Sequence, residues 1–222
     1  MKKRILVAVA LGAVVVLVAG GLMASNMGFK LAYQLDQLAV TGSGQNTMAL
    51  PFNQQTSLAT ASNLAADINA SQVGTPVVSI NRLVRATDTL QTYPPQDFAL
   101  VGGEGLIVAL NANGGLPVNS VVVGSHAPGL VIPLLGQLNP ASNSGTNLFA
   151  YPYHAVAGSA AALESEIELL QAGAVASISA FVRSNDTLVT YPPADFALQP
   201  GKSYFIGLEA AALDIAYVPA HF

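Results

Sequence analysis

The chain has 222 residues, 52% of them hydrophobic and only 9% charged, with 20 Gly, 13 Pro and no Cys. So little charge beside so much apolar side chain excludes a disordered polymer, and the lack of cysteine excludes disulfide staples, thiolate metal sites and thiol nucleophiles. Its 8 basic and 12 acidic residues become 5 against 12, a net charge of −7, once Lys2, Lys3 and Arg4 are set aside, which leaves no basic patch for nucleic acid.

Those three cations open the first element. They precede an apolar run from Ile5 to Ala24, followed by Ser25, the layout of a secretory signal cut near Ala24. At about 20 residues the run is also long enough to span a bilayer. Residues 1–24 are therefore read as a signal peptide or a membrane anchor, with contact to membrane only through residues 5–24 if uncleaved. Both readings put the rest of the chain in the extracellular space or the cell envelope.

Next, Phe29, Leu31, Tyr33 and Leu35 alternate with Lys30, Ala32 and Gln34, the period of a strand with one buried face. A second short strand is expected from Met48 to Phe52. The period then changes: Leu58, Ala61, Leu64, Ala65 and Ile68 fall on one face of a helix over residues 57–70, with Thr56 or Ser57 available as its N-cap. Strands follow at Val77–Val84 and Thr89–Tyr93, joined by a turn at Arg85–Asp88, with a bulge expected near Asn81 to reconcile two side-chain phases. Two more strands, Gly105–Asn111 and Asn119–Gly124, complete the set.

The set occurs twice. Val77 to Leu110 aligns without a gap on Val175 to Leu208 at an offset of 98, with 18 of 34 positions identical. Upstream, Asn46-Thr-Met-Ala-Leu-Pro-Phe faces Asn147-Leu-Phe-Ala-Tyr-Pro-Tyr, and the strand from Gly28 faces the segment from Gly129 at an offset of 101. The second helix is expected over residues 159–171, with Leu163, Ile167 and Leu170 as its stripe and Gly173 at its end. The expected fold class is thus mainly β with one short helix per repeat, in two tandem similar domains of about 100 residues, 26–126 and 127–222.

The best-kept stretch is Thr-Tyr-Pro-Pro-x-Asp-Phe-Ala-Leu, at Thr92–Leu100 and Thr190–Leu198. Pro94, Pro95, Pro192 and Pro193 lack amide donors and end the strands that finish at Tyr93 and Tyr191. Asp97 and Asp195 are placed to accept a nearby backbone N–H in an Asx-turn, while Phe98 and Leu100 return to the core. Arg85 with Asp88, and Arg183 with Asp186, read as turn-closing ion pairs. Glu104 and Lys202 occupy one turn position with opposite charge, an arrangement suited to head-to-tail pairing between molecules.

The order Asn-x-x-Ala-Leu-Pro-Phe, a helix, Val-x-Ser-Ile-x-Arg, Asp-Phe-Ala-Leu, a Gly pair and an apolar strand resembles the tandem β-rich modules of exported bacterial surface proteins. Their first strand reads Gly-Trp-Asn-Leu-Ile-Ser-Leu-Pro, whereas this chain has no Trp. The resemblance covers both repeats and implies an extracellular module of unknown activity, with no catalytic residue to carry over.

Chemistry by the chain's own residues has few candidates. There is no Gly-x-Ser-x-Gly elbow, and neither a His-x-x-x-His nor an Asp-x-Asp-x-Asp spacing, so no metal or cofactor is expected. His126 and His221 fall at equivalent repeat ends, and His154 has Asn53 in its place in the first repeat. Two functional classes follow, with an enzyme third. One is a structural or adhesive envelope protein that associates with itself or a neighbouring envelope protein. The other is a polysaccharide-binding module that stacks sugars on Tyr93, Tyr151, Tyr153 and Tyr191.

Overall fold

The computed structural model describes residues 29–220 except 37–42, 51–52, 55, 72–73, 112–116, 126–128, 138–143 and 154. Residues 1–24, read as a signal peptide or membrane anchor, and His126, His154, His221, Pro51 and Phe52 lie outside the described residues. Among the described residues the fold is mainly β, with two α-helices and two similar four-stranded antiparallel sheets. In chain order the first half contributes β1 (Phe29–Leu35), β2 (Gln45–Ala49), β3 (Asn53–Gln54), a 3-10 turn (Thr56–Leu58) and α1 (Ala61–Ala70). It continues with β4 (Val77–Val84), β5 (Thr89–Tyr93), β6 (Gly105–Leu110) and β7 (Val118–Ser125). The second half contributes β8 (Ile132–Leu134), β9 (Thr146–Ala150), α2 (Ala160–Glu168), β10 (Val175–Val182), β11 (Thr187–Tyr191), β12 (Ser203–Leu208) and β13 (Ile215–Tyr217). The sheet orders β2-β6-β4-β5 and β9-β12-β10-β11 are the same once the duplication is taken into account. Beside them β1 pairs with β7, which also pairs with β3, and β8 pairs with β13.

Each helix lays its apolar stripe on one face of its own sheet. Leu64 and Ile68 of α1 meet Met48, Ile80, Leu106 and Phe98; Leu163 and Ile167 of α2 meet Phe149, Ile178, Tyr204 and Tyr217. Full burial of a Leu or Ile side chain contributes about 1.5–3 kcal/mol, so these two stripes hold the layers together. The second stripe is shorter than its sequence period suggests. The helix ends at Glu168 with Leu169 as C-cap, and Leu170 is 57% exposed, because Gly173 turns the chain at φ +66° towards buried Ala174.

The ungapped repeat is structurally faithful, down to its irregularity. Register shifts fall between Val77 and Ser79 and between Val175 and Ser177, the first of them two to four residues ahead of the bulge expected near Asn81. Asn81 stays in register because its side chain is tied into the sheet, donating to Ser79 Oγ (3.1 Å) and Ile107 O (3.3 Å) and accepting from Thr92 Oγ1 (2.6 Å).

The first strand is aligned differently. Buried Asn46 accepts from Asp36 N (2.8 Å) and donates to Asp36 O (2.9 Å); buried Asn147 does the same with Leu135 N (2.8 Å) and O (3.2 Å). Asp36 is thus equivalent to Leu135, an offset of 99 rather than 101. A two-residue slip preserves the buried face of a strand, which is why side-chain parity could not detect it.

The halves join through reciprocal contacts. Ala49 N donates to Gly201 O (3.0 Å), and its counterpart Ala150 N donates to Gly103 O (3.2 Å). Both turn glycines have positive φ, +86° and +90°, and a Cβ on Gly103 would meet Ile132 of β8 while one on Gly201 would meet Leu31 of β1. At Gly105 the halves approach so closely that a Cβ would lie 2.7 Å from Leu148 Cγ.

Candidate functional site

The duplicated acids sit at helix N-termini. Thr60 and Ser159 are the N-caps in extended backbone, each accepting from the N–H three residues on. Asp97 adds a second acceptor from across the chain: its carboxylate takes Ser62 N (2.9 Å), Ser62 Oγ (2.6 Å) and Phe98 N (3.0 Å). Asp195 takes Ala161 N (3.0 Å) and Phe196 N (2.9 Å). The Asx-turn reading is therefore corrected: each acid does bond the next N–H, but its main partner is the first turn of the helix, where the dipole favours negative charge. The Ser62 hydroxyl and N–H hold the Asp97 carboxyl below the usual range, and the Ala161 N–H does so for Asp195.

Pro94, Pro95, Pro192 and Pro193 follow directly on β5 and β11, as expected. Tyr93 and Tyr191 are half-buried against their respective cores, and Tyr191 donates to Glu164 (2.9 Å). Of the tyrosines proposed as sugar platforms, Tyr151 is buried, 4% exposed, with its hydroxyl turned inward to Ala157 O (2.6 Å).

The repeated Arg and Asp residues are not turn-closing ion pairs. Asp88 and Asp186 serve the hairpin turns through left-handed backbone, φ 49° and 53°. The Asp88 carboxylate accepts from Ser144 N of the other half. Arg183 likewise crosses, pairing with Asp36 (3.2 Å) and donating to Gln34 O and to Asn46 Oδ1 (3.3 Å). Arg85 is partly buried with its cation disfavoured by desolvation, offset by nearby Glu104. The hairpin tips thus fasten one half to the other, which their turn-like composition did not disclose.

Beside Arg183 lies a cleft of about 390 Å³ at the junction, walled by Phe181, Arg183, Gln199, Lys202 and Tyr204 of the second half and Asp36 of the first. Burial pushes the Tyr204 phenol up to about 12, so it stays neutral. Lys202 is exposed, yet partial burial and then the adjacent Arg183 hold its ammonium below the usual lysine range. Among the described residues no carboxylate forms an ion pair with Lys202. Glu104, its counterpart, pairs within its own half with Arg82 (3.8 Å), so this turn position has an intramolecular electrostatic role in the first half. Arg82 and Gln199 were not marked by sequence reasoning, and Lys202 was marked only with Glu104, for pairing between molecules. The available signal was the places where the repeats differ, rather than those where they agree. Among the described residues no group of three His, Asp or Glu side chains is arranged to hold a metal ion, and no helix is long and apolar enough to cross a membrane. Comparison with protein-family models, curated proteins and solved structures finds no match.

Proposed function

We propose that the chain is an exported, non-enzymatic protein of the cell envelope or extracellular space, in which two fused β-modules act in structure or adhesion through their sheet edges. The observation that carries this reading is the character of β5 and β11. Each is the outer strand of its four-stranded sheet, and their sequences, Thr-Leu-Gln-Thr-Tyr and Thr-Leu-Val-Thr-Tyr, contain neither charge nor proline. Leu90 and Leu188 on them are 54% and 53% exposed. Open edges are ordinarily guarded by lysine, proline or a covering loop because they template pairing with another chain. Two uncharged outer strands in one molecule, each with an exposed leucine, suit self-association or pairing with a neighbouring envelope protein. The leader-like residues 1–24 and the resemblance to exported surface modules support the location, and the engagement of Asp97 and Asp195 by helix N-termini supports a non-catalytic role.

Negative-stain microscopy and size-exclusion chromatography of the mature chain test the reading. Concentration-dependent assembly is expected, and the double variant Leu90→Lys, Leu188→Lys should abolish it without loss of fold. A wild type that stays monomeric, alone and with its envelope fraction, refutes edge association.

A further inference from the structure

The two halves share a cradle but fill it differently. In the first half Arg82 of β4 occupies it: its guanidinium carbon lies 4.9 Å from the centre of the Phe98 ring, Nε donates to Gln91 Oε1 (2.8 Å), and one terminal nitrogen reaches Ala99 O (3.5 Å) and Glu104 (3.8 Å). At the offset of 98 the cradle residues Phe98, Gln91, Ala99 and Glu104 become Phe196, Val189, Ala197 and Lys202, and Arg82 itself becomes Ala180. All five counterparts, three of them changed in residue type, line the 390 Å³ cleft. The second half has thus lost the side chain that plugs the first.

Other substitutions shape the vacated space. Tyr204, in place of Leu106, stacks on Phe196 with ring centres 6.0 Å apart and an angle of 19°. The change from Glu104 to Lys202 reverses the charge of the cradle. With Arg183 it brings two of the five cations outside the leader to one cleft, and only Arg183 has a carboxylate partner there. Gln199 and Ser184 add hydrogen-bonding groups, and Phe181 an apolar wall. A volume of this size falls within the span of about 300–1,000 Å³ common for small-molecule sites.

We propose that this cleft binds an acidic sugar, with Lys202 and Arg183 gripping its carboxylate, Gln199 and Ser184 meeting its hydroxyls and Phe181 lying against its ring. An oriented pair of cations selects the carboxylate, while the polar and aromatic walls select a ring with both hydroxyl and C–H faces. The site does not depend on sheet-edge assembly and stands or falls separately from it.

The test is calorimetric titration of the full chain with trigalacturonate, the neutral galactose trimer, acetate and sulfate. Trigalacturonate is expected to bind at least tenfold more tightly than the other three, and more weakly as salt rises. Two variants restore first-half residues: Ala180→Arg returns the plug and Lys202→Glu returns the acid. Each should reduce trigalacturonate affinity at least tenfold, with the ligand-free melting temperature measured beside it to show that the variant is folded. Lys202→Glu keeps the test decisive if Ala180→Arg misfolds. Failure of trigalacturonate to bind, equal binding by sulfate or the neutral trimer, or undiminished binding by Lys202→Glu overturns the proposal.

Discussion

Asp97 and Asp195 show how an acid can be retained in both copies for reasons of folding. Their carboxylates accept from helix first-turn groups 34–35 residues away in sequence, so Asp97→Ala and Asp195→Ala should each lower the melting temperature, most visibly in far-ultraviolet circular dichroism of the helices. The pH dependence has a definite sign. Both carboxyls are held below their usual range, so their stabilisation is fully present above the ordinary aspartate value of about 3.9 and is lost as pH falls through the depressed folded value. The wild type should therefore lose melting temperature more steeply than the double variant on acidification below about pH 4. A double variant with the same acid slope as the wild type would remove these two residues from the account. That the acids accept from backbone N–H groups was legible in their turn context. Their partners were not, because Ser62 and Ala161 become neighbours only when the helix docks beside the Pro-Pro bend.

The helices were legible in their faces and less so in their ends. Thr56 or Ser57 is the first N-cap expected from the sequence, and the structure uses Thr60 instead; side-chain type and periodicity cannot choose among the three. Tertiary pairing does: Thr60 bridges to Ala99 and Ser159 to Ala197, while Ala61 N and Ala160 N donate to Phe98 O (2.9 Å) and Phe196 O (3.0 Å), which keeps the cap residues extended. Thr60→Ala should cost about 0.5–2 kcal/mol in urea denaturation, whereas Ser57→Ala, one turn earlier and exposed, should cost little. The reverse ranking would assign the cap to Ser57. The strands at Val77–Val84 and Thr89–Tyr93 match their sequence reading to the residue because two turn-forming segments bound them, and the one misjudged feature, the bulge, is set by pairing with β6.

At the scale of the molecule, the duplication yields two cores and a junction that uses equivalent residues twice. Gly105 is a point of close approach between the halves, and Gly105→Ala should cost about 1–3 kcal/mol through overpacking against Leu148 and Ser203. Equilibrium denaturation measures it, and a neutral result would mean that the halves separate more readily than their contacts imply. Export is tested by mass spectrometry of the protein from its native host: a mature chain beginning near Ser25 is expected, and an intact 1–24 segment in the membrane fraction would establish the anchor instead.

The sequence by itself determined the class of structure, the duplication and the buried faces, because periodicity, turn chemistry and internal identity are local properties that survive without coordinates. Only the tertiary structure decided that Arg183 crosses to Asp36, that Asp97 serves a helix, and that Ala180 leaves open a cradle that Arg82 fills. Each of these depends on which surfaces meet after docking. An offset of 98 identifies equivalent positions, but the space a missing side chain leaves behind is set by the residues folded around it.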